Sequence, residues 1–365
     1  MSELDEKIER LTRLAKESSV GGILILTQPG FSWLTGGGSN RVDGSRENGN
    51  GALFVRADGR RFVVANAIEM PRLLAEELDS GGWEPIEYPW TEEHARPDTL
   101  ARLARDVSSG AAVGADWVLP DVTPMDRPLS RARALLTQAE VERYRLLGAD
   151  VGQAIGAVGR HLEPGLEERE IARRVNDAAA GIGARALVVL VAADDRIARF
   201  RHPAPTARAW QRIVMIATCV ERRGLVVATT RIVCAGEVPT DVSSRTEATA
   251  RVFGRLLDAT VPDADGRTLF GAAQRAYEEV GFRGEEARHH QGGAIGYRSR
   301  EWVAHPASDE RVQPRQAFAW NPSITGTKVE DTALLTENGI ELITLSPGWP
   351  TIEHGAAGIL RLSTD

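Results

Sequence analysis

The chain has 365 residues, 42% of them apolar, with 44 Lys and Arg against 51 Asp and Glu and a net charge of -7. That balance excludes a disordered chain, and the lack of a basic stripe argues against nucleic acid as a partner. Two cysteines, Cys219 and Cys234, exclude a disulfide framework and point to a reducing cytoplasm.

The opening residues MSELDEKIERL are charged and amphipathic, so no signal peptide is expected. No apolar run approaches the ~20 residues of a membrane span, so no membrane association is expected. Residues 4–17 read as a helix with Ile8, Leu11 and Leu14 on one face. GGILILT reads as a buried strand, followed by FSWLTGG. ALFVRADGRRFVVAN reads as a hairpin turning at Asp58-Gly59, and residues 67–78 as a helix. This alternation predicts an α/β domain over residues 1–133. The second domain, 134–365, opens at Thr137, whose T-x-x-E spacing to Glu140 predicts a helix start. That helix is expected to run to about His161, with Val141, Leu147, Val151, Ile155 and Val158 on one stripe. A Pro-Gly turn leads to a second helix, then a strand, VLVAADD. IATCVERRGLVVATTR reads as two apolar strands joined at Gly224. Helices are expected over 243–258 and 267–280, and strands with short loops from 287 to 362. The second domain is therefore α+β.

Seven landmarks, in one order across nearly the whole chain, resemble the creatinase and aminopeptidase P family, peptidase family M24. They are FSWLTGGG, TQAEVERYRLLGADVGQAI, EPGLEEREIARRV, RHPAP, GGAIG, FAWNPSI and KVEDTALLTENGIELIT. The resemblance implies an α+β pita-bread domain behind a smaller creatinase-type α/β domain, and a homodimer. The family's peptidases hold two divalent ions with Asp, Asp, His, Glu and Glu. The motifs put Ala217, Ala228, Gly293 and Asn321 at the first four of those positions, and leave only Glu330. Ala and Gly offer no ligand and neutral Asn is a poor one, so no catalytic metal and no other cofactor is expected. The ligand space is expected to become a cavity for a small-molecule substrate. Creatinase itself sets the precedent, a metal-free relative that uses a histidine as acid/base on a small guanidino compound.

His202, in FRHPAP, matches that histidine, and imidazole can pass a proton both ways near neutral pH. Held between loop residues, it can also be purely structural. Glu330 stands either as a catalytic or orienting carboxylate or in an ion pair with a nearby Arg. Asn321 and Thr230 are candidate substrate contacts. Arg300 falls where the peptidases carry a second histidine, to bind an anionic or nitro-like group or form a salt bridge. Cys219 shares a face with Ala217 and reads as a small core residue more readily than as a nucleophile. His289-His290 is a weak metal signal by itself and reads as exposed or packed. The Gly-rich loop GGGSNRVDGSRENGNG is followed by a strand instead of a helix, which excludes a phosphate cradle. In creatinase-like dimers this loop caps the other subunit's site, making Arg41 and Arg46 candidate substrate contacts.

The function expected is a metal-independent hydrolase of a C–N bond in a small polar molecule. The substrate would be a guanidine, amidine or amide, or an electron-poor ring losing a group such as nitro. The alternative is a non-catalytic pseudo-peptidase that binds a peptide or protein.

Overall fold

The computed structural model of the chain describes residues 1–79 and 82–363. Contacts divide the chain into two compact units, Met1–Ala139 and Glu140–Asp365. The division lies six residues beyond the expected 133/134, because the Asp126–Ala134 helix belongs wholly to the first unit. Arg10 ties it there, donating to the carbonyls of Ala132 and Leu135.

In the first unit, the Glu3–Glu17 helix is opened by a Ser2–Asp5 capping box and buries Lys7, Leu11 and Ala15. The expected face is thus shifted slightly, with Ile8 and Leu14 half-buried. Strands β1 (Gly22–Thr27), β2 (Asn48–Arg56), β3 (Arg61–Asn66), β4 (Glu84–Tyr88), β5 (Val113–Ala115) and β6 (Thr123–Pro124) form one sheet. Its order is β4-β3-β2-β1-β5-β6, with the expected hairpin as β2–β3. The helix expected over 67–78 is shorter. Pro71 sits in the first turn of Met70–Arg72, which passes into a π-helical turn at Leu73–Glu77.

In the second unit, the Gln138–Arg160 helix begins directly after Thr137. Its buried stripe includes Val141, Leu147, Val151 and Ile155, as expected, but Gly159 takes the place given to Val158. Gly148, Gly152 and Gly156 share that stripe and let the helix approach the 343–346 backbone. A Cβ on Gly152 would lie 2.3 Å from the Leu345 carbonyl oxygen. The Glu168–Gly181 helix follows. Strands β7 (Arg185–Ala193), β8 (Ile213–Arg222) and β9 (Leu225–Ala235) are a continuous antiparallel run. The Thr240–Ala259 and Gly266–Glu279 helices pack Phe253, Leu256, Leu269 and Tyr277 against Phe318 and Trp320.

The remaining strands are β10 (Gly292–Ile295), β11 (Trp302–Val303), β12 (Ala317–Trp320), β13 (Ser323–Ile324), β14 (Thr327–Lys328), β15 (Asp331–Thr336), β16 (Gly339–Leu342) and β17 (Ile359–Leu362). They give a five-stranded sheet β11-β10-β12-β15-β16, a β13-β14 ribbon, and a four-stranded sheet β17-β9-β8-β7. The two larger sheets meet along β9. Thr230 donates its backbone N–H to the Glu330 carbonyl at 3.0 Å, and Val226 donates to Gly296 at 2.8 Å. Deep in this seam Arg231 pairs with Asp331 at 2.9 Å, both side chains fully buried. Hydroxyls of Thr229 and Thr344 also donate to Asp331. A buried charge pair needs such added hydrogen bonds to offset its desolvation. No helix among the described residues is long and apolar enough to cross a membrane.

Candidate functional site

The β8–β9 hairpin builds one side of the site. Its two-residue turn, Arg223-Gly224, takes φ of 52° and 83°, the left-handed geometry that matches the twist of hairpin strands. The register pairs Ala217 with Thr230 and Cys219 with Ala228. On the neighbouring strand Leu190 pairs with Ala217 and Val188 with Cys219. Side chains alternate along strands, so Val188, Leu190, Ala217 and Cys219 form one apolar wall. They line a cavity of about 400 Å³ in the second unit. His202, Arg300, Asn321, Lys328 and Glu330 supply its polar side.

Glu330 is the centre of charge. Lys328 Nζ lies 3.0 Å from its Oε2 and Arg300 Nη2 lies 3.4 Å from its Oε1. The Thr230 hydroxyl donates to Oε2 at 2.7 Å. Burial resists the charge on this carboxyl, but the two cations and the hydroxyl outweigh it and pull its pKa down to about 2. The ion-pair role is therefore the one the geometry supports, with Lys328 as a partner sequence reasoning missed. Lys328 ends β14 and Glu330 stands in the link to β15, so strand alternation gave no signal for this pairing.

The Asn321 side chain is 2% exposed, and its Oδ1 has no hydrogen-bond partner. Arg300 Nε is likewise buried and unpartnered. Both residues line the cavity, so it presents an unfilled acceptor and an unfilled donor.

His202 sits on a loop held by its neighbour. Arg201 donates to the hydroxyls of Ser323 and Thr325, each at 2.9 Å, and pairs with Glu285. His202 Nε2 meets His289 Nε2 at 3.0 Å, and the His289 and His290 rings stack at 4.4 Å. One ligand nitrogen from each of the three lies within 4.8 Å of the others. Burial, then the charge of Lys328, lowers the pKa of His202. Burial leads again in lowering His289 to about 3 and His290 to about 4. Three neutral imidazoles thus converge where the sequence suggested only an exposed or packed pair. No local pattern links residues 202 and 289.

Several expected contacts are placed elsewhere. Ala228 does not line the cavity; it is fully buried, and the Thr332 hydroxyl accepts from its N–H at 2.8 Å and donates to its carbonyl at 2.9 Å. Gly293 does not open into it either. A Cβ there would lie 2.1 Å from the Trp302 carbonyl oxygen, so the position has closed against β11. Thr230 touches the site through Glu330 without lining the cavity. Arg41 and Arg46 belong to the first unit, where Arg46 pairs with Asp43 at 3.3 Å, and the contact expected of them is with a second subunit's site. Cys219 does line the cavity, and burial pushes its pKa up to about 11, so it is a thiol at neutral pH.

A two-metal centre does not fit these residues. Ala217, Ala228 and Gly293 carry no side-chain donor, and Glu330 is already engaged by two side-chain cations.

The model of metallopeptidase family M24 matches residues 142–337. Among solved structures, dipeptidase PepE from Mycobacterium ulcerans superposes with a TM-score of 0.80 at 19% identity, over 99% of this chain and 98% of that one. An Xaa-Pro dipeptidase from Bacillus anthracis gives 0.77 at 18% identity, over 98% and 100%. The N-terminal domain of the FACT complex subunit SPT16 from Cicer arietinum (chickpea) gives 0.69 at 12% identity, over 93% and 96%. No curated protein matches the sequence.

Proposed function

The chain belongs to metallopeptidase family M24 and has its pita-bread fold, and from that premise we propose that it is a hydrolase of small polar molecules that works without the family's two-metal centre. The observation that carries this reading is the cavity itself. Its apolar wall of Val188, Leu190, Ala217 and Cys219 faces a polar side of His202, Arg300, Asn321 and Lys328. A volume of about 400 Å³ suits a small molecule.

The substrate class follows from the unfilled groups. Asn321 Oδ1 asks for an N–H donor, and Arg300 Nε offers one to an acceptor. An amide presents both, as does the neutral form of an amidine. A nitro group is an acceptor and a heteroaromatic ring N–H a donor, so an N–H nitro-heteroaromatic that loses nitro to water meets both groups as well.

In the reaction, water adds to the amide or amidine carbon and the C–N bond breaks. Neutral His202 takes the proton from water and delivers it to the departing nitrogen. Lys328 and Arg300 oppose the developing negative charge in this reading, and Glu330 holds them in place. Cys219, protonated at neutral pH, takes no covalent part. The chain is also proposed to form a homodimer in the reducing cytoplasm, by likeness to creatinase.

The pseudo-peptidase alternative predicts a filled pocket beside an exposed binding groove, and the open cavity with two unmet polar atoms favours the enzyme. Chelator-treated protein is expected to turn over a small amide or amidine, and His202→Ala to abolish turnover while keeping the wild-type circular dichroism. Turnover that appears only after adding back two equivalents of Mn²⁺ or Co²⁺ would overturn the reading.

A further inference from the structure

We propose that His202, His289 and His290 form a binding site for one borderline divalent ion such as Zn²⁺, at residues other than the five that match the family's two-metal seat. Imidazole nitrogen suits zinc, nickel and copper, whereas Mg²⁺ and Ca²⁺ ask for oxygen. Nitrogens bound tetrahedrally to zinc at about 2.0–2.1 Å lie roughly 3.4 Å apart. The His202–His289 edge is already 3.0 Å, and the third nitrogen lies within 4.8 Å of both. Closing the triangle takes a shift of about 1–1.5 Å, within reach of a small rotation of the His290 ring.

The backbone that presents these rings is anchored from two directions. Arg201 fixes the His202 loop to Ser323 and Thr325. Fully buried Gln291 fixes the other segment, donating to the His289 carbonyl at 2.5 Å and accepting from the Tyr277 hydroxyl at 2.8 Å. Three protein ligands leave a fourth position open, the arrangement of zinc sites that bind water or a small ligand. His202 and His290 also line the cavity, so a bound ion borders it.

The charges nearby temper the affinity. Lys328 and Arg300 oppose a cation, and Glu330 cancels only one of them. The imidazoles therefore provide the affinity without carboxylate support.

Ion binding stands independently of the proposed hydrolysis; only its consequence rests on that reading. A metal held by His202 Nε2 occupies the lone pair that would accept a proton, so zinc acts as an inhibitor of the metal-free reaction.

Chelator-treated full-length protein is titrated with Zn²⁺ by calorimetry and with Co²⁺ by visible absorption. One ion per chain is expected, with affinity at least about tenfold weaker in His289→Ala and His290→Ala. The milder His289→Asn and His290→Gln serve as second variants, and thermal melts check that each folds. No binding, two ions per chain, or undiminished affinity in the folded variants of both positions overturns the site. Zinc bound one to one in a protein that hydrolyses no amide or amidine leaves the site standing and removes the hydrolase reading.

Discussion

A single carboxylate sets the electrostatics of the cavity. Glu330 has a pKa of about 2 in the folded chain, against an ordinary value of 4.5. A group whose folded pKa is depressed stabilises the fold above its unfolded pKa, and that stability is lost as pH falls towards the folded value. A shift of this size corresponds to about 3 kcal/mol. Glu330→Gln is therefore expected to lower the unfolding free energy at pH 7 by about that amount, leaving Lys328 and Arg300 buried without a counter-charge. The gap between variant and wild type in urea denaturation should close between pH 4.5 and 2. Neighbouring Asp331 runs the other way, because burial outweighs Arg231 in raising its pKa, so only the difference between the two proteins isolates Glu330. His202 gives a second pH signature. Its folded pKa lies below 6.5, and the neutral form is the proton acceptor. The kcat/KM of the amide or amidine reaction should level off towards alkaline pH and fall on the acid side with a midpoint below 6.5; a midpoint above it would remove His202 as the base. Glu330, His202 and Asn321 were all legible as site positions, because they are set in recognisable motifs. Their partners were not. Which cation reaches Glu330 depends on side-chain reach across strands.

At the scale of elements, the hairpin and one helix carry the strictest local demands. The β8–β9 turn was legible from Gly224 between two apolar runs, since few residues tolerate positive φ. Gly224→Val should cost about 1–2 kcal/mol, seen as a lower urea midpoint. The Gln138–Arg160 helix was legible from its period, but the reason for its glycines was not. Gly152 is required by the Leu345 carbonyl oxygen that passes over it, a contact between residues far apart in the chain. Gly152→Ala raises helix propensity by about 1 kcal/mol, yet the overpacking is expected to cost about 1–3 kcal/mol. Net destabilisation of the full chain in thermal unfolding would show that close approach, and not helix propensity, governs the position. The same effect explains Gly293. Read from sequence it was an emptied ligand position; in the fold it is a place where β10 and β11 lie too close for any side chain.

At the scale of the whole molecule, the proposed homodimer predicts a sedimentation mass twice the 39.6 kDa of the chain; a monomer at micromolar concentration would remove it. The amino-acid sequence by itself determined the family and its fold, because seven motifs and the apolar periods of long helices and strands are local patterns that survive in one dimension. It also determined that Ala217, Ala228 and Gly293 bring no metal ligand, which follows from residue chemistry alone. Only the tertiary structure decided what stands in their place. The packing around β9 puts Lys328 and Arg300 on Glu330, sets Thr332 against Ala228, and leaves Asn321 Oδ1 without a hydrogen-bond partner. A loop and a turn 87 positions apart bring His202 against His289. Such meetings depend on register, loop path and packing, none of which has a period or spacing in the sequence.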